Sequence, residues 1–278
     1  MMATALALCP PASASSHEVV TIYAPTARAA SEARANLPLD VVVVAAPSWA
    51  VSRTALAASS CLIVRTPPVA PEREPTALAL LAEVRRAHPR LAVMLESADE
   101  QARAAATEGR LAHEVVAWGD ASSTLWSRVQ GALTAAMLEA AADRTLTTPR
   151  LAPHVRAWLA GLWSLPVAPR AVGAWYGAYH VAPGELALGW PARVPAPETL
   201  VTWTLLLHTA VHAARGESWR TAAESTGLDA RSLRHALSRS ARLRAGELGA
   251  PVVPTADNPH ARLRRAFRRR VLEPLLGT

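Results

Sequence analysis

Lysine is absent from this chain, since all 29 of its basic side chains are arginine. This absence excludes mechanisms that need a lysine Schiff base or a phosphate-binding P-loop lysine. Cysteine is scarce as well, and Cys9 and Cys61 alone are too few for a disulfide framework. Cys61 lies in an apolar run typical of a buried thiol. The cysteine content therefore predicts a protein of the reducing cytoplasm.

Long apolar runs are also missing. None approaches the roughly 20 residues that a transmembrane helix requires, so we expect no membrane partner. The first residues, MMATALALC, lack the basic start of a signal peptide, and Leu8 is too large for a lipoprotein cleavage site before Cys9. We interpret residues 1–16 as a disordered tail.

Recognisable catalytic motifs are missing too. The sequence contains no GxSxG, GxGxxG or Walker pattern. His208 and His212 are four residues apart on a predicted helix, but HTAVH lacks the glutamate of a zinc protease and no third ligand is evident. No acid, base and nucleophile form a convergent set. We therefore expect neither an enzyme nor a bound cofactor or metal.

Positive charge is concentrated in the second half of the chain. Residues 1–150 contain 13 arginines and 14 acids, a net charge of −1, whereas residues 151–278 contain 16 arginines and 8 acids, a net charge of +8. This asymmetry predicts a polyanionic partner for the second half. Charge that serves only solubility is the alternative in an arginine-rich chain.

Short apolar runs alternate with alanine-rich helical stretches in the first half, as strands buried on both faces of a parallel sheet require. The predicted strands are VVTIYA (19–24), VVVVAA (41–46), CLIVR (61–65), LAVML (91–95) and EVVAW (114–118). They predict an α/β fold, a doubly wound parallel five-stranded sheet, over residues 17–145. A longer helix over 122–144 closes this domain, and TLTTP (145–149) separates it from an all-α domain over 146–278.

Part of the all-α region has the pattern of a helix-turn-helix. Ala223 is the small residue that a close helix crossing needs, and Gly227 follows at the spacing of the turn. Leu233 and Leu237 are placed to anchor the second helix from below. Asp229 is placed to cap the N-terminus of that helix.

The outer face of this second helix carries almost only hydrogen-bond donors. Because the N-terminal residues of a recognition helix usually reach the bases, we predict contacts to base edges in the major groove of double-stranded DNA. The predicted base contacts are Arg231, Arg234 and His235. The other predicted DNA contacts on this helix pair are Arg220, Ser238, Arg239 and Arg242. An ordinary solvated helix face is the alternative.

The last predicted helix, RLRRAFRRRVLEPLL (262–276), is strongly basic. Apolar residues recur every four positions along its other side, at Leu263, Phe267, Val271 and Leu275. A salt-dependent clamp on the DNA backbone is predicted for Arg264, Arg265, Arg268, Arg269 and Arg270. A helix docked by its apolar stripe, with solvated arginines, is the alternative, and both descriptions can hold together.

A weaker unit of the same kind lies upstream, over 169–190. Its predicted turn comprises His180, Val181 and Ala182, with Leu186 beneath the second helix. That helix would present Ala187 and Leu188 where donors are needed. We therefore favour a structural role for this unit.

Residues 150–250 resemble the DNA-binding domain of AraC-type regulators, which carries two helix-turn-helix units joined by one long helix. Here that helix is TLVTWTLLLHTAVHAAR, within a helix predicted over 198–215, and the second unit contains LDARSLRHALSRSARLRAGEL. The resemblance implies a regulator that binds double-stranded DNA sequence-specifically. The first unit departs from the pattern because it lacks donors.

Residues 17–142 resemble a response-regulator receiver domain. Receivers place an acidic pair after the first strand, a phosphoacceptor aspartate at the end of the third, Ser or Thr after the fourth and lysine after the fifth. The corresponding residues here are Tyr23, Ala24 and Pro25, then Arg65 and Thr66, then Ser97, then Trp118. Without carboxylates there is neither a Mg²⁺ site nor an acceptor, so the resemblance implies a degenerate receiver that cannot be phosphorylated.

Together these features predict a phosphorylation-independent transcription regulator. We expect a homodimer formed through the receiver-like domain, because two copies read a longer site than one. The alternative is a protein-interaction adaptor whose basic half binds nucleic acid without sequence preference. An enzyme with a pocket in the α/β half is a further alternative, against which the missing catalytic set argues.

Overall fold

The computed structural model describes residues 18–46, 48–68, 76–120, 124–164, 182–249 and 258–276. The predicted N-terminal tail and Cys9 lie outside these residues. The first part of the chain forms a five-stranded, all-parallel sheet in the order β2-β1-β3-β4-β5. Its strands are β1 (Val19–Tyr23), β2 (Val42–Ala46), β3 (Cys61–Thr66), β4 (Ala92–Ser97) and β5 (Glu114–Ala117). The five predicted strands and the α/β architecture are therefore confirmed.

Helices cover both faces of the sheet. They are α1 (Ala27–Ala35), α2 (Trp49–Ala55) with a 3-10 turn (Leu56–Ala58), α3 (Ala77–Ala87), α4 (Glu100–Glu108) and α5 (Leu125–Leu146). Helices α1 and α5 pack on one face, and the others pack on the opposite face. The strand order reverses between β1 and β3, where open α/β sheets form a crevice at the carboxyl ends of the strands.

The burial of both faces explains why the strands are continuous apolar runs. Val20 and Ile22 belong to the core beneath α1 and α5, whereas Leu62 and Val64 belong to the core beneath α3 and α4. Cys61 is fully buried, as its apolar neighbours predicted, and burial raises the pKa of its thiol.

The described residues of the second part form helices and no strand. The elements are α6 (Pro153–Ser164), α7 (Pro183–Leu188), α8 (Pro197–Ala214), α9 (Trp219–Thr226), α10 (Ala230–Ala241), α11 (Ala245–Gly249), α12 (Pro259–Phe267), a π-helical turn (Arg268–Leu272) and α13 (Glu273–Leu276). Helix α8 matches the helix predicted over 198–215, with proline in its first turn, where no intrahelical N–H bond is lost. None of the described helices is both long and apolar enough to cross a bilayer.

Helix α5 contributes to the cores of both parts. Val129 and Ala132 pack against the sheet, while Met137 belongs to the core that α5 shares with α6 and α8. Gly131 permits a close approach of α5 and α8, since a Cβ at this position would lie 3.2 Å from the Cβ of Ala214. A helix packed on several sides is apolar around most of its circumference, as α5 is.

The apolar stripe of the C-terminal segment is buried, as predicted. Leu263, Phe267 and Val271 are fully buried, and Leu275 is nearly so. A spacing of four residues drifts by about 40° per step around an α-helix. The π-helical turn takes more residues per turn, so it keeps Val271 and Leu275 on the side of the core.

Arg264 lies on the buried side of the same segment. Its Nη2 donates to Oε1 of Glu18 at 2.5 Å and to Oε1 of Gln130 at 2.7 Å. The side chain is only 6% exposed and is enclosed between α12, α5 and the start of β1. The prediction that Arg264 contacts the DNA backbone is therefore wrong, because this guanidinium is neutralised inside the protein.

Candidate nucleic-acid interface

Helices α9 and α10 are joined by a turn that two residues define. Helix α9 ends at Gly227, whose φ of +82° is the left-handed conformation that favours glycine. Asp229 caps α10, and its Oδ1 accepts hydrogen bonds from the backbone N–H groups of Arg231 at 2.9 Å and Ser232 at 3.0 Å. Hydrogen bonds from Ser232 foremost hold the pKa of Asp229 below its ordinary value, so the cap remains ionised near neutral pH.

One side of α10 is anchored in the core. Leu233 and Leu237 are fully buried, and so are Ala222 and Ala223 on α9. The helix contacts α8, α9 and α12. Alanines at the crossing let the backbones of α9 and α10 approach each other, and the two leucines determine which side of α10 faces inward.

The other side of α10 is exposed to solvent. Every predicted contact residue on this helix is exposed, namely Arg231, Arg234, His235, Ser238 and Arg239. Arg220 on α9 is exposed as well. The structure places Arg242 differently from the prediction, because α10 ends at Ala241 and Arg242 follows it with a left-handed φ of 55°. Arg242 is thus exposed at the C-terminal cap and is not part of the helical face.

Some of these side chains are held in place by neighbours. The guanidinium carbons of Arg220 and Arg234 lie 5.4 Å and 5.9 Å from the ring centroid of Trp219, within the range of cation–π attraction. Nε of Arg234 also donates to the carbonyl oxygen of Ala230 at 3.1 Å. Trp219 therefore organises the guanidinium groups at the N-terminal end of α10.

The C-terminal segment extends this surface with two arginines. Nη1 of Arg270 donates to the carbonyl oxygen of Arg239 at 3.1 Å, and Nη2 of Arg262 donates to that of Arg242 at 3.2 Å. We call the following residues the basic face: Arg220, Arg231, Arg234, His235, Ser238, Arg239, Arg242, Arg262 and Arg270. Arg262 lies in the predicted basic helix but was not among the predicted clamp residues.

The remaining arginines of the predicted clamp do not share one side of the segment. Arg268 is exposed and lines a cleft beside α5, together with Met137 and Arg144. Arg265 and Arg269 are exposed. The five predicted clamp arginines therefore lie on different sides of the segment, because a helix directs successive residues to different sides: Arg264 is buried, whereas Arg270 bonds to the end of α10.

The upstream unit is described only in part. His180 and Val181 of its predicted turn lie outside the described residues. Leu186 on α7 is fully buried, and Leu188 is 90% exposed. Ala187 is exposed too, and neither these two side chains nor the exposed carboxylate of Glu185 is a hydrogen-bond donor.

The crevice at the carboxyl ends of the strands is occupied by a buried ion pair. Nε of Arg65 lies 2.5 Å from Oε2 of Glu96, and Nη1 of Arg65 donates to the carbonyl oxygen of Ala29. The guanidinium carbon of Arg65 lies 4.6 Å from the ring centroid of Trp118. Glu96 was not predicted as a site residue, because strand β4 was predicted to end one residue before it. This carboxylate is saturated by Arg65 and by the N–H of Gly119 at 3.0 Å.

No protein-family model, curated protein or solved structure matches this chain. Its function must therefore be inferred from its own residues. The basic face gathers side-chain donors from α9, α10 and the C-terminal segment.

The histidine pair on α8 does not form part of a metal cluster. Nδ1 of His212 lies 2.7 Å from Oε1 of Glu217. Burial foremost, together with His212 and Arg215, lowers the pKa of His208 to about 4, so its imidazole is neutral near pH 7. The described residues contain no group of three or more His, Cys, Asp or Glu side chains placed to hold a metal ion.

Proposed function

We propose that this chain is a sequence-specific transcription regulator that binds double-stranded DNA through the basic face, as a helix-turn-helix of the AraC-like kind. One observation carries the proposal: α10 is fixed by Leu233 and Leu237 while its opposite side presents donors to solvent. A helix with this division of faces fits the major groove of B-DNA.

The donors differ in the contact we assign to them. Arg231, Arg234 and His235 occupy the N-terminal half of α10, the part of a recognition helix that meets base edges. Arginine can donate two hydrogen bonds to the O6 and N7 atoms of guanine, which favours G·C pairs in the preferred site. The other members of the basic face contact phosphates and position the helix.

The α/β part serves a role other than phosphotransfer. Its strand order agrees with that of receiver domains, and the resemblance in sequence places Arg65 where a receiver has its phosphoacceptor. An arginine paired to Glu96 cannot accept a phosphoryl group. We therefore assign this part to homodimerisation, which would bring two basic faces to one DNA site. The chain acts in the cytoplasm and catalyses no reaction in this proposal.

Selection from random double-stranded DNA tests the proposal directly. The full chain is incubated with a random library at moderate salt, bound fragments are sequenced, and the enriched motif is remeasured in excess nonspecific DNA. We expect a G-containing motif that survives the competitor, because specific binding typically exceeds nonspecific binding by about 10³-fold or more. Two copies of the motif at intervals of about 10 base pairs would support the dimer.

Two outcomes would contradict the proposal. Binding that disappears in competitor, with no enriched motif, supports the alternative of an adaptor whose basic half binds nucleic acid nonspecifically. A complete lack of DNA binding refutes both the proposed regulator and the alternative adaptor.

A further inference from the structure

A cleft with a volume of about 750 Å³ lies between the α/β part and the helical part. It is formed by the end of α4, β5, α5, the end of α6 and the end of α8, and it shares no residue with the basic face. Its volume is within the range of small-molecule sites. Leu138 and Val211 supply apolar wall, as do several alanines.

Three nitrogen atoms of residues that line this cleft are buried without a hydrogen-bond partner in the described part of the chain. They are Nε1 of Trp163, Nε2 of His208 and Nε of Arg128. The indole and guanidinium nitrogens can only donate, and the imidazole donates in the tautomer that carries its proton on Nε2. An unmet buried donor is costly, so a ligand that brings acceptor atoms gains binding free energy here.

Two of the three acids that line the cleft already have partners. Glu114 accepts from Arg128 at 2.6 Å and from Arg215 at 2.9 Å. Glu139 pairs with Arg85 and with His113 at 3.0 Å. Burial favours protonation of Glu139, but His113 and Arg85 outweigh it and lower the pKa of this carboxyl. Neither carboxylate is therefore free to hold a cation.

One positive charge at the cleft is unmatched beside Glu114. Arg128 and Arg215 both line the cleft, and they share the single carboxylate of Glu114. The unmatched charge and the unmet donors both favour an occupant with one negative charge.

We infer that this cleft binds a small monocarboxylate with an apolar body, whose oxygens accept hydrogen bonds from Arg128, Trp163 and His208. The apolar body lies against Leu138 and Val211. This site is independent of the proposed DNA binding, and it can be tested on the full chain without DNA.

Indole N–H signals in ¹H–¹⁵N NMR spectra test the inference. Phenylacetate is titrated into the ¹⁵N-labelled chain, with phenylacetamide and acetate as probes that lack the charge and the apolar body, respectively. We expect the Trp163 signal, assigned by its loss in Trp163→Phe, to shift saturably with phenylacetate. Both comparison probes should bind about tenfold or more weakly, because each lacks one of the two recognised groups.

Trp126 provides a matched control. Its Nε1 is also buried without a partner among the described residues, but it packs in the sheet core and does not line the cleft. Trp163→Phe should weaken phenylacetate binding about tenfold by calorimetry, whereas Trp126→Phe should leave it unchanged. His208→Leu provides a second test should Trp163→Phe fail to fold, and the same loss is expected.

Three results would overturn the inference. One is a Trp163 signal that does not move at millimolar phenylacetate. Another is binding of phenylacetamide as tight as that of phenylacetate, since this would show that the charge of the ligand does not contribute. The last is equal weakening by Trp126→Phe and Trp163→Phe, which would indicate a general effect on packing.

Discussion

Single residues of the basic face differ in how firmly they are held. Arg234 is fixed by Trp219 and by the carbonyl oxygen of Ala230. The side chain of Arg231 makes no hydrogen bond or ion pair within the described part of the protein, although its backbone N–H bonds to the cap, Asp229. In the proposed complex with DNA, Arg234 would therefore lose little side-chain entropy, whereas Arg231 would have to be ordered by the DNA.

Replacement of Arg231 or Arg234 by alanine tests the assignment to base edges. We expect each substitution to cost about 1–3 kcal/mol at the preferred site and to relax the base preference at one position. Arg220→Ala is the comparison, since a phosphate contact should weaken all sequences alike. Binding to a panel of single-base variants of the selected site measures both effects. Unchanged base preference in Arg231→Ala and Arg234→Ala would refute the assignment.

The turn between α9 and α10 depends on the conformation of Gly227. Its positive φ predicts that Gly227→Ala lowers the free energy of unfolding by about 1 kcal/mol, through strain at the new Cβ. Gly246→Ala is the matched control, because Gly246 lies in helix α11 and an added Cβ there meets nothing within 4 Å. Urea unfolding followed by circular dichroism compares the two. A Gly227→Ala variant as stable as Gly246→Ala would contradict the role of this turn.

Buried histidine makes stability depend on pH. Burial foremost, and then Arg264, lowers the pKa of His260 from 6.5 to about 4. Between these values the unfolded chain binds a proton that the folded chain does not, so stability falls as pH falls from about 6.5 to about 4. The loss attributable to His260 is on the order of 3 kcal/mol. Unfolding free energies of His260→Leu should decline less steeply over this range, and an identical decline in the two proteins would refute the expectation.

At the scale of elements, the arginines of the C-terminal segment lie on two different sides. Arg262 and Arg270 reach the end of α10, whereas Arg264 and Arg268 point toward α5 and the sheet. The π-helical turn lies within the run of arginines, so it affects which of them face α10.

These two sides predict different effects on DNA binding. Arg270→Ala should reduce the slope of log K against log salt by about 0.9, the amount expected for one lost phosphate contact. Arg268→Ala is the matched control, since Arg268 is an exposed neighbour on the same segment that faces the cleft beside α5. Its slope should equal that of the unmodified chain. Equal slopes for all three proteins would indicate that this segment contributes to packing and not to DNA binding.

At the scale of the whole molecule, polar links join its first and second parts. Arg264 bonds to Glu18 and Gln130, and Arg215 at the end of α8 pairs with Glu114 on β5. Since α5 also contributes to the cores of both parts, we expect them to unfold as one cooperative unit.

Removal of Arg264 tests this link. Arg264→Met leaves the carboxylate of Glu18 with its main cation gone, and we expect a loss of about 3–5 kcal/mol in unfolding free energy. Adding Glu18→Gln should restore part of that stability, because a neutral amide costs less to bury than a charge. Denaturation of the single and double variants measures the recovery. A loss below about 1 kcal/mol, or no recovery, would show that the link contributes little.

The local pattern of the sequence predicts much of the fold. Apolar runs predict the strands. A proline at its start and a glycine just after its end predict α8, and the spacing of Gly227 from Ala223 predicts the turn. Glu96 and Arg262 were not predicted as site residues. Their roles arise from partners on other elements, Arg65 on β3 and Arg242 after α10.

The sequence by itself determined the periodicities, and with them the strands, the two-sided character of α10 and the surplus of arginine in the second half. Only the tertiary structure decided which arginines remain free to meet another molecule. Arg264 and Glu18 are 246 positions apart in the chain, and their ion pair exists only because folding brings α12 against α5 and β1. The exposure of a charged side chain depends on surfaces contributed by distant segments, so local pattern can propose a basic face but cannot assign its members.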